Sequence, residues 1–251
     1  MDWLIDAFEP AFMQRALIGS LIAVVATSLV GTWVVLRGLA FLGDALAHGV
    51  IPGIALAVLW GFSPIIGAYV AAIVMSGLVS VVSNRTVVRE DTAIGLLFVG
   101  MLSLGIVIVS RARSFSTEVT ALLFGDVLGV TTSDIRSQII ATAIVVTTTV
   151  VLYRPFLALT FNRDKAQTLG MRPRLAQTAL LALLALSIVA SFQAIGTLLV
   201  FGLLVGPPAT ASLMARRVPA IMLLSMLLGA VAVVAGLLVS FHPGTAGGAP
   251  I

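Results

Sequence analysis

Six stretches of this sequence hold no Asp, Glu, Lys or Arg: residues 16–36, 45–84, 92–110, 137–153, 175–215 and 218–251. A helix crosses the hydrocarbon core of a bilayer with about 20 predominantly apolar residues, so the runs 45–84 and 175–215 each have room for two crossings. Only 10% of the 251 residues are charged and 60% are hydrophobic. An ordinary soluble domain carries about 25% charged residues, so this chain could not cover a water-facing surface. That excludes a soluble enzyme, a disordered chain and a nucleic-acid binder. The pI near 10.6 reflects a net charge of only +4 on scattered arginines. The absence of cysteine removes disulfides, thiolate metal sites and thiol catalysis. The chain reads as an integral membrane protein.

Turn chemistry divides the two long runs. Gly61-Phe62-Ser63-Pro64 breaks the first and the stretch 191–196 the second. The expected fold is all-α and forms one transmembrane domain, 1–251. It has about eight spans (range seven to nine) near 14–36, 39–60, 64–84, 91–110, 134–153, 174–193, 195–214 and 218–241. Residues 115–129 are apolar but too short to cross, and are expected as a re-entrant helix with Glu118 and Asp126 at its solvent-facing ends. Asp2, Asp6 and Glu9 precede the first apolar run, with Arg15 the only base before it. A secretory leader wants a basic start, so the first span is expected to belong to the mature protein.

Basic residues orient the spans. Arg37, Arg85, Arg89, Arg154, Arg163, Lys165, Arg172, Arg174, Arg216 and Arg217 follow the odd-numbered spans, whereas Arg15, Arg111, Arg113 and Arg136 fall on the other side. The positive-inside bias puts the first set in the cytoplasm and the N-terminus outside, in a multi-pass protein of the cell membrane. Trp3, Trp33 and Trp60 fall towards span ends, as interfacial anchors do.

The strongest chemistry lies in the string 37–53, RGLAFLGDALAHGVIPG. Asp44 and His48 are four apart, hence one turn apart on one helix face. A helix starting near residue 39 carries them roughly 8–14 Å into a core about 30 Å thick. An ionisable pair at that depth is costly unless it faces a polar cavity or another charge, which makes it a functional candidate. One carboxylate oxygen and one imidazole nitrogen suit Zn²⁺, Mn²⁺ or Fe²⁺ better than Mg²⁺ or Ca²⁺. Pro52 and Gly53 follow at once, and a broken helix frees carbonyls beside a translocation path. The plainer alternative is an intramembrane salt bridge that locks two helices. Two ligands hold an ion weakly, and weak binding suits passage, because the ion must leave as readily as it enters.

Residues 154–174 are the most charged stretch. Asp164, Lys165, Ala166, Gln167 and Leu169 are compatible with a short helix that Gly170 would stop. Such a helix could dock into a partner's groove, and the same residues are equally compatible with a basic loop at the lipid surface. Gly202 and Gly206 form a GxxxG pair suited to close helix contact, either within the subunit or between two copies. Pro207 and Pro208 are expected to kink or end that helix.

These segments together resemble the membrane subunits of manganese, zinc and iron ABC importers. GDALAH with the following PG is similar to that family's GDALSH…PG signature, and Leu122–Asp126 to its LFGD segment. Residues 161–170 are similar to its cytoplasmic coupling segment, and 196–211 to its GTLLVFALLVIPAATA helix. The agreement runs from about residue 12 to 244. It implies a type II-like importer permease in which Asp44 and His48 line the metal path. Asp164, Ala166, Leu169 and Gly170 would meet the ATPase, and two copies would pair. Two cytoplasmic ATP-binding subunits and an extracytoplasmic metal-binding protein would complete the assembly. The metal is then cargo and no cofactor is bound permanently. Three departures stand out. Ala47 replaces the usual Ser, which removes a hydroxyl near the ion. Asn162 stands where Asp is common, though Asp164 keeps a carboxylate. After Ser240–Gly244 the family continues into another apolar helix, whereas this sequence runs to TAGGAPI.

No G-x-x-x-x-G-K-[ST] string occurs, so ATP hydrolysis would belong to another chain and this subunit is not itself an enzyme. Two functions follow: a permease driven by partner ATPases through alternating access, or a stand-alone metal/proton carrier using the same Asp44 and His48.

Overall fold

The computed structural model describes residues 10–85, 90–110, 131–161, 172–195 and 197–241. All regular structure there is helical: α1 (Ala11–Leu36), α2 (Ala40–Gly49), α3 (Ile51–Leu59), α4 (Pro64–Arg85), α5 (Glu90–Val109), α6 (Thr132–Val151), α7 (Tyr153–Phe161), α8 (Pro173–Ile195), α9 (Thr197–Met214) and α10 (Val218–Phe241). Seven of these stretches are long and apolar enough to cross a membrane, with α2 and α3 together making one, Ala40–Leu59. The expected span at 195–214 is α9, whose apolar part, Leu199–Met214, is shorter than the other seven.

Glycine sets both ends of the α2–α3 span. Gly38 takes φ +69° and Gly61 φ +73°, a left-handed conformation that costs glycine nothing. At the first, Leu39 N–H donates to the Val34 carbonyl and Gly38 N–H to that of Val35, both at 2.9 Å. At the second, Phe62 N–H reaches the Ala57 carbonyl at 2.8 Å and Gly61 N–H that of Val58 at 3.2 Å. Both are Schellman closures, which satisfy the last carbonyls of a helix and turn the chain back. At the start of α6, Thr131 and Asp134 exchange side-chain-to-backbone bonds in a capping box.

α1 is the hub. It packs against α6, α8, α9 and α10, and 72% of its most apolar stretch is buried. Its two threonine hydroxyls are satisfied within the helix: Thr27 donates to the Ala23 carbonyl at 2.8 Å and Thr32 to that of Ser28 at 2.7 Å. The buried hydroxyls of Ser20 and Ser28 have no partner among the described residues. α5 lies at the rim, with only 17% of its stretch buried. Leu96, Val150 and Leu213 stand 75%, 70% and 88% exposed, an arrangement for lipid rather than water.

Two expectations change. Trp33 is no interfacial anchor: it is fully buried, with edge-on contacts to Tyr153 and Phe156 at 5.6 and 5.7 Å. Those partners lie at the start of the charged 154–174 stretch, whose first residues form α7 instead of a loop. Pro207 and Pro208 lie inside α9, which runs on to Met214. Each proline withholds an N–H from the carbonyl four residues back, so the regular hydrogen bonding lapses there while the helix continues.

Candidate functional site

α2 carries Phe41, Asp44 and His48 on one face, because positions 0, 3 and 7 of a helix align. The opposite side is seated by two glycines. A Cβ on Gly43 would lie 2.5 Å from the Leu204 side chain of α9, and one on Gly49 would overlap the Met75 sulfur of α4. Ala45, Leu46 and Ala47 are buried between these contacts. A serine hydroxyl at position 47 would therefore begin on the packed side of α2. Asp44 and His48 keep 29% and 26% of their side chains accessible.

His48 Nε2 lies 3.4 Å from Asp44 Oδ1. Two ligands about 2.1 Å from one ion at a tetrahedral angle are themselves about 3.4 Å apart. The separation of the pair thus matches the bite of two ligands of one cation. Among the described residues no group of three or more His, Cys, Asp or Glu converges, so the pair supplies two ligands only. Described elsewhere on the same side is Phe98 of α5, whose ring centroid is 6.1 Å from that of His48 and 5.5 Å from that of Phe41. Nothing in the sequence flags Phe98, since one aromatic in an apolar run has no chemical signature.

The break expected beside the pair falls at Val50, which joins α2 to α3. Pro52 has no N–H to offer the His48 carbonyl four residues back. Gly53 serves helix crossing: a Cβ there would overlap the Gly67 carbonyl of α4, and one on Gly67 would overlap the Gly53 carbonyl. Pro52 is buried, 3.4 Å from a Cβ placed on Gly105 of α5. Gly202 and Gly206 face outward, and a Cβ at either meets nothing within 4 Å. The described part of the chain therefore makes no close contact at this GxxxG pair. Pro207 sits against α10, 3.7 Å from a Cβ placed on Gly229. Asp164, Ala166, Leu169 and Gly170 lie outside the described residues, as do Trp3, Glu118, Asp126 and the expected re-entrant helix.

The described residues form a polytopic helical bundle of the kind that spans a membrane, with a partly accessible Asp–His pair beside a break in one span. The ABC 3 transport family model matches residues 9–251, and the chain belongs to that family. It is 36% identical over 230 residues to the manganese import system permease protein ScaB of Streptococcus parasanguinis, covering 92% of this chain and 82% of that one. It is 32% identical over 237 residues to the chelated iron transport system membrane protein YfeD of Yersinia pestis, covering 94% and 80%. The solved structure of PsaBC from Streptococcus pneumoniae in complex with Fab superposes with a TM-score of 0.85 at 31% identity, over 98% of this chain and 89% of that one.

Proposed function

We propose that the chain is the membrane-spanning subunit of an ATP-driven importer for a divalent transition metal, Mn²⁺, Zn²⁺ or Fe²⁺. The observation that carries this reading is the Asp44–His48 pair, set at metal-bite separation and half-open on a span whose other side is packed. Relatives named for manganese and iron transport support it. Asp44 lowers the ion's desolvation cost by its charge, and His48 adds a neutral nitrogen one turn away. Two ligands are too few for a closed site, so a second copy of the chain completes it with its own pair. The outward row Gly202 and Gly206 offers a surface on which two backbones can approach closely.

The mechanism is alternating access. An extracytoplasmic metal-binding protein delivers the ion, the pair accepts it at an outer gate, and closure of that gate precedes release inward. The N-terminus is outside and the ten-residue basic set faces the cytoplasm. Two ATP-binding subunits dock on the segment near 154–174 through Asp164, Ala166, Leu169 and Gly170. This subunit hydrolyses no ATP itself.

The test is accumulation of radiolabelled Mn²⁺, Zn²⁺ and Fe²⁺ by cells expressing the complete assembly, compared with cells whose ATPase lacks its P-loop lysine. Uptake of at least one ion that disappears with that lysine supports the proposal. Uptake that persists without ATP hydrolysis and follows the proton gradient replaces it with the carrier.

A further inference from the structure

The contact between His48 and Asp44, at 3.4 Å, is longer than a good hydrogen bond. The carboxylate alone therefore does not hold the imidazole, and the terminal torsion of histidine is intrinsically soft. A second helix supplies what is missing. Phe98 of α5 lies 6.1 Å from the His48 ring, inclined at 58°. Phe98 is in turn held by Phe41, whose ring meets it edge-on at 5.5 Å and 77°. The Phe41 ring also lies over Gly95, one turn earlier on α5, where a Cβ would stand in ordinary contact at 3.9 Å. Phe41, Phe98 and His48 thus form a continuous row of rings beside the Asp44 carboxylate, and the middle ring comes from a different span.

We infer that Phe98 is a positioning residue for the metal pair: its ring walls one side of the His48 imidazole and keeps Nε2 on the same side as the Asp44 carboxylate, at ligand-pair separation. The inference rests on the reading of Asp44 and His48 as the ion's ligands. Phe98 touches no ion itself. It limits the turning of the one neutral donor, as a hydrogen-bonded outer partner does for histidine in soluble metal sites. Because α5 and α2 are separate spans, any shift of one along the other also changes how the ligand is held.

The chain has only two histidines, His48 and His242, which makes the ligand directly observable. In a His242→Gln background, full-length protein with ring-labelled histidine in lipid bilayers reports a single imidazole by solid-state NMR. The native ring is expected to be rigid, and added Mn²⁺ to quench its signal by paramagnetic relaxation. Phe98→Leu keeps an apolar side chain but removes the flat wall. It should lower the ring's order and raise the Mn²⁺ midpoint about tenfold, the lower end of what outer orienting groups contribute. Phe98→Tyr should restore both, which a merely space-filling role does not require. Phe98→Met takes the place of Phe98→Leu if the latter fails to insert. Ring order and midpoint unchanged in the leucine or methionine variant overturn the inference. A native His48 signal indifferent to Mn²⁺, Zn²⁺ and Fe²⁺ overturns the metal-site reading instead, so the two failures appear in different observables.

Discussion

The carbonyl oxygen of Leu204 on α9 occupies the place where a side chain on Gly31 of α1 would stand. Pro208 lacks the N–H that would have engaged this oxygen within α9. The absent side chain and the absent donor thus meet at one point, where α1 comes close enough for its Cα–H to face the oxygen. Gly31→Ala should therefore lower the stability of the detergent-solubilised subunit by about 1–3 kcal/mol, the usual cost of overpacking. A backbone carbonyl cannot swing aside as a side chain can. Gly202→Ala, placed in open space, should stay within about 0.5 kcal/mol of the native protein. Thermal unfolding of the two variants side by side decides this, and equal midpoints would remove Gly31 from the fold's tight contacts.

The contrast between those glycines marks how far sequence reasoning reaches. Gly61-Phe62-Ser63-Pro64 announces a turn because a left-handed glycine followed by proline is a local event, and the helices end there. Asp44 and His48 announce themselves by charge inside an apolar run. Gly31 and Gly49 carry no such mark, and the GxxxG spacing of Gly202 and Gly206 suits close contact without saying which surface it meets. Helices apolar all round have no polar side to orient them, so the string alone does not say which glycine faces a neighbour and which faces outward. Phe98 is silent for the same reason. Trp33 misleads because its position near a span end fits an interfacial anchor as well as the buried contact it makes with Tyr153 and Phe156.

Orientation is testable without background labelling, because the native chain has no cysteine. With the basic set in the cytoplasm, a cysteine at Gln167 should be shielded from an impermeant thiol reagent in intact cells. One at Thr131, the residue that caps α6, should react. The opposite pattern would invert the topology and place the docking segment on the wrong side of the membrane.

Coupling is tested at Ala166. The proposed docking takes Ala166 as the small residue that would seat the segment against the ATPase, with Leu169 beside it and Asp164 setting charge register. Ala166→Arg should abolish stimulated ATP hydrolysis or co-purification with the ATPase while membrane insertion stays intact. Native transport by that variant would exclude the segment from the mechanism.

The decisive test concerns the pair itself. Asp44→Asn keeps the side chain's shape and removes its charge, and His48→Ala removes a donor without adding bulk. Both residues are partly accessible; Gly43, Leu46 and Gly49 pack on the other side of α2, and on the pair's own side the contacts described are ring contacts of Phe41 and His48 with Phe98. Neither substitution should disturb assembly, and each should reduce metal uptake by more than tenfold while ATPase association is retained. A pair that only locks helices makes the reverse prediction. Each single variant would leave a polar partner stranded in the bilayer and misassemble, whereas replacing both residues by apolar ones would restore assembly and transport together. The comparison therefore turns on the double variant Asp44→Leu/His48→Leu in the complete importer. Normal insertion with no metal uptake is the expected result, and normal uptake would show that the pair is a packing device.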